Sequence, residues 1–439
     1  MAYENVLKNP DNFNFEIQQL GEATYANPCS QEIFVDDSEK IIFSSQIKNL
    51  NHQLETCKKL PAFEKAGARE KIFHNLDTTR AAIITCGGLC PGLNNVIKGL
   101  VKVLEQDYGV KEIVGIRYGY KGLTQQSNQE PIQLNSSVVE QIHKQGGTIL
   151  GSSRGNQDPE IMVDELQRRK INLLFCIGGD GTLKGAQAIA EAANKRQAKI
   201  SIVGVPKTID NDLGFVEKTF GFETSVQVAS EIITSAHHEA EGAENGIGIV
   251  KLMGRDSGFI SATASLANSI VDVCLIPEIP FQISGPEGIC AAIQRRLQRN
   301  NHAVIVVAEG AGQDLFSNSE SRVDASGNIL KDDIGELLKE EITAYFKQNN
   351  LAISIKYLDP SYHIRSVSAN AADAVFCYLL AEHAVHAGMS GKTNLVIGYW
   401  NNFFTHVPIQ LATKERRMVD LDSALWRGVI SATQQDKHP

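Results

Sequence analysis

The sequence predicts an α/β fold built on parallel sheets. Apolar runs alternate with stretches of helical periodicity along most of the chain. Several of these runs end in glycine-rich or charged turns followed by a helical pattern. The length, 439 residues, suggests two or three domains and ample core.

Taken in order, residues 1–80 are polar and irregular, with turn signals at Asn9-Pro-Asp-Asn12 and Ala26-Asn-Pro-Cys29. They read as an extension wrapping a core that begins at Ala81. Ala81–Thr85 is a short apolar strand, Cys86–Asn94 a glycine-rich turn, and Asn94–Leu104 a helix by its spacing. The same layout recurs at Ile171–Phe175, Cys176–Thr182 and the Ala-rich Leu183–Ala193. Ile200–Val205 is a buried strand running into Lys207, Thr208, Asp210 and Asp212. A second strand series includes Gly246–Lys251 and His302–Ala308, with helical stretches at Ser257–Asn268 and Ile289–Arg299. Ser317–Asn328 is a polar surface loop. Ile334–Phe346 is a helix whose apolar face is Ile334, Leu337, Leu338, Ile342 and Tyr345. Gly388–Thr393 has too few residues between its glycines for a Walker A loop and reads as a helix end turning into the strand Leu395–Gly398. The Cys86–Asn94 turn lacks the dinucleotide-binding spacing.

Composition excludes several classes. Charged residues are 21% and hydrophobic ones 42%, ordinary for a soluble protein. A net charge of −9 argues against nucleic-acid binding. No apolar run reaches membrane-spanning length. Eight cysteines in so long a chain are no disulfide framework; Cys86 and Cys90 share a turn, but no Cys/His partner pair stands at zinc spacing, so metal binding is the weaker reading. Nothing at the N-terminus resembles a signal peptide, and the C-terminal Asp436–Pro439 is not a peroxisomal signal. The cytoplasm is the expected location. His237-His238, without a nearby ligand set, reads as a helix surface.

The turns carry the chemistry. Charged groups just past a buried parallel strand sit at the carboxyl edge of the sheet, where α/β folds bind ligands. A carboxylate there can act as a base or hold a metal, and a lysine can neutralise phosphate. A single such loop is as well explained by solvated turn-capping Asp and Asn; a second loop of the kind tips the balance. Gly178, Gly179 and Gly181 let the backbone approach a phosphate. Asp180 repels a bare phosphate, so Mg²⁺ between them is expected.

With these turns in hand the chain resembles the 6-phosphofructokinase family from about Arg80 to about Ala412. The resemblance rests on the segments 87–94, 151–155 (Gly-Ser-Ser-Arg-Gly), 178–182 (Gly-Gly-Asp-Gly-Thr) and 206–212 (Pro-Lys-Thr-Ile-Asp-Asn-Asp). It continues through 251–258 (Lys-Leu-Met-Gly-Arg-Asp-Ser-Gly), 307–310 and 359–365 (Asp-Pro-Ser-Tyr-His-Ile-Arg). It is nearest to the ATP-dependent plant and trypanosomatid branch. It implies two Rossmann-like parallel-sheet domains with an N-terminal extension: 1–80 as extension, 81–222 plus 364–415 for nucleotide and Mg²⁺, and 223–363 plus 416–439 for fructose 6-phosphate. It also implies a glycolytic, allosteric enzyme that forms a homo-oligomer, dimer or tetramer, with ATP and fructose 6-phosphate as substrates.

The implied roles are specific. Asp210 is the general base for the sugar O1 hydroxyl, Asp212 supports it electrostatically, and Thr208 hydrogen-bonds the transferring group. Lys207 and Arg154 meet phosphoryl charge. Asp180 holds Mg²⁺. Gly88, Gly181, Thr182 and Gly185 line the nucleotide phosphates, and Tyr120 packs near the nucleotide. Met253, Gly254, Arg255, Glu309, Tyr362 and Arg365 bind the sugar phosphate. Lys356 stands where simpler bacterial members place an Arg that reaches the 6-phosphate from a neighbouring subunit. A second such Arg is replaced here by Gly246. Donor choice follows from Gly181, where pyrophosphate-using relatives carry Asp; Lys207 occurs in those relatives too, so pyrophosphate is the alternative donor. Nicotinamide-dinucleotide and lipid kinases share Gly-Gly-Asp-Gly-Thr but should lack the 208–212 and 253–255 segments. A non-catalytic regulatory subunit should have lost Asp210 or Asp180.

Overall fold

Parallel strands are covered on both faces, so their residues are apolar throughout rather than alternating. The computed structural model describes residues 2–29, 33–56, 59–124, 129–316 and 330–435. The principal elements are strands β1 (Lys40–Ile42), β2 (Ala62–Lys65) and β3 (Arg80–Thr85), helix α1 (Leu93–Lys102), and strands β4 (Glu112–Gly115) and β5 (Ile132–Gln133). Then come α2 (Pro159–Arg168), β6 (Leu173–Gly178), α3 (Asp180–Lys195), β7 (Ser201–Pro206), α4 (Phe222–Glu241) and β8 (Gly246–Leu252). They are followed by α5 (Phe259–Asn268), β9 (Val273–Leu275), α6 (Ile289–Asn300), β10 (His302–Ala308), α7 (Ile334–Gln348) and β11 (Ser354–Leu358). The last are α8 (Ala371–Met389), β12 (Leu395–Trp400) and β13 (Phe403–Pro408). The expected loop Ser317–Asn328 and the C-terminal Asp436–Pro439 lie outside the described residues.

The chain divides into two compact units: Met1–Thr208, Leu213–Gly221 and Ser366–Glu415 form the first, and Ile209–Asp212, Phe222–Arg365 and Arg416–Pro439 the second. The first holds a sheet of strand order β1-β2-β13-β12-β7-β6-β3-β4-β5. Its centre, from β12 to β4, is parallel, and its outer strands are antiparallel. β1 and β2 come from the extension, so that segment adds strands to the sheet edge as well as polar turns. From β3 the chain goes to β4 on one side and then to β6 on the other. This reversal is a topological switch point, and ligands bind outside the carboxyl ends of the strands there.

Helices cover both faces of that sheet. Ala82, Ile84, Leu174, Cys176 and Ile202 pack with Met162 and Leu166 of α2 and Leu183 and Ile189 of α3. On the other face α8 approaches closely: a Cβ on Gly388 would lie 2.4 Å from Leu173 Cδ1. α8 is buried along most of its length, down to Met389, as a helix apolar on nearly all sides must be.

The second unit holds the parallel sheet β9-β10-β8-β11. Ile247, Ile249, Ile305 and Val307 pack with α6 and α7. In α7 the buried face is Ile334, Leu338, Ile342 and Phe346. Leu337 and Tyr345 are only partly buried; the Tyr345 hydroxyl instead donates to Gln294 at 2.8 Å. Among the described residues no helix is long and apolar enough to cross a membrane.

Candidate active site

In the first unit the turns beyond β3, β6 and β7 are bonded to one another. Thr85, ending β3, donates to Gly151 O at 2.7 Å. Gly87 N donates to Ser153 O at 3.0 Å, and the Ser152 hydroxyl donates to Gly87 O at 2.6 Å. These bonds fix the exposed Arg154 next to the Cys86–Gly92 turn. Lys207 is 7% exposed. Its N–H donates to Gly178 O at 3.0 Å and its Nζ to Gly88 O at 2.7 Å. Gly87 has φ +83°, and a Cβ there would sit 3.1 Å from Lys207 Nζ. The positive φ favours glycine here, and a side chain would also press on the Lys207 ammonium. The Thr208 carbonyl accepts from the Thr219 hydroxyl at 2.6 Å.

α3 starts at Asp180, earlier than its apolar periodicity suggests, so Asp180, Gly181 and Thr182 form its first turn. No side chain caps this end, and its N–H groups and dipole suit a phosphate. The three glycines of the turn differ in purpose. A Cβ on Gly178 would collide with Thr182 Oγ1 at 2.1 Å, whereas one on Gly181 would meet nothing within 4 Å. Gly181 is thus helical and open, and what it supplies is space. Asp180 is paired with the half-exposed Lys184 at 3.0 Å.

Asp210 and Asp212 belong to the second unit. Asp212 is buried, and Asp210 is half-buried with its Oδ1 enclosed. Asp212 is 1% exposed and ion-paired with Arg416. Arg417 N donates to Asp212 O at 2.8 Å, and the Ser257 hydroxyl to Asp210 O at 3.3 Å. Asn211 bends the segment with φ +54°, a conformation Asn tolerates. Burial holds the Asp210 carboxyl well above the usual carboxylate range; the nearby Asp212 and Glu309 charges add to this and Arg416 opposes it.

At the carboxyl edge of β8 and β10, Glu309 N donates to Leu252 O at 2.9 Å and Gly310 N to Gly254 O at 3.0 Å. Gly254 has φ +133°, and a Cβ on Gly310 would lie 1.9 Å from Arg255 O. The Met253–Arg255 turn thus packs backbone to backbone on Glu309 and Gly310. Burial raises the Glu309 pKa against the pull of Arg255, Lys251 and Arg365. The Arg365 guanidinium lies 4.6 Å from the ring centroid of Tyr362, which is 79% exposed.

The model of the phosphofructokinase family matches residues 80–388. The chain belongs to the phosphofructokinase family. It is 47% identical to the ATP-dependent 6-phosphofructokinase of Borreliella burgdorferi, covering 98% of both chains. It is 42% identical to the enzyme of the same name from Trypanosoma brucei brucei, over 98% of this chain and 90% of that one. A pyrophosphate-dependent phosphofructokinase from Marinobacter aquaeolei shares the fold, with a TM-score of 0.66 over 81% of this chain and 91% of that one at 19% identity.

Tyr120 and Gly185 are packed differently from the expected nucleotide contacts. Tyr120 is a core residue, 5% exposed, whose hydroxyl donates to Thr182 O at 2.5 Å. A Cβ on Gly185 would strike the Tyr120 ring at 2.6 Å. These two residues support the α3 turn from beneath. Lys356 is exposed on β11, an edge strand. Gly246 pairs with Ser354 in register, and a Cβ on it would lie 2.0 Å from Ala240 O. That crowding explains why no Arg stands at this position.

His238 is exposed on α4, as read from the sequence, but His237 turns inward. Its ring meets that of His302 edge-on at 4.9 Å. His237, His238 and Glu241 offer ligand atoms within 4.8 Å of one another. His237 Nε2 and His238 Nδ1 lie 3.9 and 3.7 Å from the shared Glu241 oxygen. Sequence reasoning missed Arg416 and gave Lys251 no role. Lys414-Glu415-Arg416-Arg417 reads as an ordinary charged run, and nothing local announces a partner as distant in sequence as Asp212.

Proposed function

We propose that this chain is an ATP-dependent 6-phosphofructokinase, passing the γ-phosphoryl group of ATP to O1 of fructose 6-phosphate. The observation that carries this is Asp210, a carboxyl that burial holds above its ordinary pKa, four residues beyond a strand whose next residue, Lys207, is bonded into the phosphate-type turns. Asp210 takes the O1 proton, and Asp212, neutralised by Arg416, keeps the segment in place. Thr208, Lys207 and Arg154 meet the transferring phosphoryl group, and the first turn of α3 with Gly88 receives the nucleotide phosphates. Catalysis of this kind is chiefly positioning and charge stabilisation.

Asp180 fits a magnesium ion bound by one carboxylate and phosphate oxygens: it stands at an uncapped helix start beside the open Gly181, and its present partner Lys184 is 58% exposed and readily displaced. Such an ion would neutralise phosphate charge. Arg255, Glu309, Tyr362, Arg365 and the backbone at Met253 and Gly254 take the sugar phosphate. The seven described cysteines are all buried and form no disulfide, which suits the cytoplasm. A homo-oligomer, dimer or tetramer, is part of the same reading. Pyrophosphate is the rival donor, favoured by Lys207 and opposed by Gly181.

Incubation with Mg·ATP and fructose 6-phosphate should give fructose 1,6-bisphosphate, identified by ³¹P NMR; a product phosphorylated elsewhere, or none, would overturn the proposal. Arg365→Ala should weaken fructose 6-phosphate by about 1.5–3 kcal/mol, the worth of a charge-assisted hydrogen bond. Normal sugar affinity with poor ATP affinity in that variant would reverse its assignment.

A further inference from the structure

β8 is buried along its whole length and apolar except at Lys251. A lysine in such a strand is costly unless its charge is paired. Its side chain is 11% exposed, and Nζ lies 2.8 Å from Asp333 Oδ2 and 3.0 Å from Asp359 Oδ2. Burial works against the charge, but the bonds to Asp333 and Asp359 outweigh it and raise the Lys251 pKa. The ammonium is therefore fixed and charged.

Each carboxylate has a second task. Asp333 Oδ1 caps α7, accepting from Gly335 N at 3.0 Å and Glu336 N at 3.2 Å. The same oxygen accepts from the Tyr357 hydroxyl at 2.8 Å. Asp359 Oδ1 accepts from Ser361 N at 3.1 Å and from the Ser361 hydroxyl. Ser361 opens the helical turn Ser361–Ser366 that carries Tyr362 and Arg365. Two residues beyond Lys251 on its own strand begins the Met253–Arg255 turn. One ammonium thus joins the two segments that bear Arg255 and Arg365.

We propose that Lys251 is a positioning residue for the acceptor side, clamping the Tyr362–Arg365 segment to the Met253–Arg255 turn and so setting affinity for the sugar phosphate. This rests on the phosphofructokinase reading above. Without Lys251, Asp333 and Asp359 face each other as like charges, and the 359–365 segment shifts away from the strand. The ATP-side groups are in a different part of the chain and keep their bonds.

Lys251→Met should raise KM for fructose 6-phosphate by about 5- to 50-fold, the range of coupling within one ion-pair network. KM for ATP and kcat at saturating sugar should stay within about twofold. Lys251→Arg should recover most of the affinity. Asp359→Asn, which keeps the shape and the Ser361 contact, should raise the same KM, and the double variant Lys251→Met/Asp359→Asn should be no worse than Lys251→Met. An unchanged sugar KM, an equal rise in both KM values, or multiplying effects in the double variant would overturn the inference. If Lys251→Met does not fold, Asp359→Asn and Lys251→Arg decide it by the same readout. Failure of the wild type to phosphorylate fructose 6-phosphate would overturn the underlying reading; a working wild type with an indifferent Lys251 overturns only this inference.

Discussion

Asp210→Asn is expected to lower kcat by about 10²–10⁴-fold and to leave ATP affinity near normal, as loss of a general base would. The substitution keeps the side chain's shape in a half-buried site, so the loss reports proton transfer rather than packing. It also removes a charge that burial and the Asp212 and Glu309 carboxylates already disfavour, and the fold should gain stability if anything. The pH profile gives a second view. A base works only when deprotonated, and the Asp210 pKa is raised. Wild-type kcat/KM should therefore fall with decreasing pH along a limb lying above the ordinary carboxylate range. Near wild-type turnover in Asp210→Asn would remove this residue from the mechanism.

Gly181→Asp should cost ATP use by about 2–4 kcal/mol if the new charge is partly desolvated. The fold permits the test: a Cβ at Gly181 meets nothing within 4 Å, and its helical backbone is open to any residue. The protein should fold and keep its thermal stability while kcat/KM for ATP drops. The open space beside this turn is what a nucleotide needs to continue past its β-phosphate, and a carboxylate would fill it and repel the phosphates. Weak pyrophosphate use would appear in the variant, because Lys207 suits that donor. An unchanged kcat/KM for ATP would separate Gly181 from donor choice.

The turns that make the site were legible because their chemistry is local. Glycines and charges placed just after apolar runs mark the carboxyl edge of a parallel sheet, and β3, β6, β7, β8 and β10 all end in such turns. What glycine does at each place was not legible. Gly87 has a positive φ, Gly178 makes room for Thr182, Gly185 for Tyr120 and Gly246 for Ala240, whereas Gly181 leaves space open. A one-letter pattern cannot distinguish backbone freedom from close approach. The long-range charge pairs were equally hidden. Arg416 with Asp212, and Lys251 with Asp333 and Asp359, join residues far apart in sequence, with no periodicity to announce them. β1 and β2 are not legible because both are short: β1 is a partly exposed edge strand, and β2 carries the charged Glu64 and Lys65 beside Phe63, so their composition reads as loop. α3 began early because Asp180 and Thr182 favour a helix's first turn more than an apolar period shows.

Phosphoryl transfer from a nucleotide to fructose 6-phosphate is tested by comparing donors on the purified wild type. Initial rates of fructose 1,6-bisphosphate formation are measured with Mg·ATP and with magnesium pyrophosphate at the same saturating sugar concentration. The structure's open Gly181 and half-buried Asp210 predict steady turnover with Mg·ATP and little or none with pyrophosphate. Turnover with pyrophosphate that exceeds turnover with Mg·ATP would contradict the account.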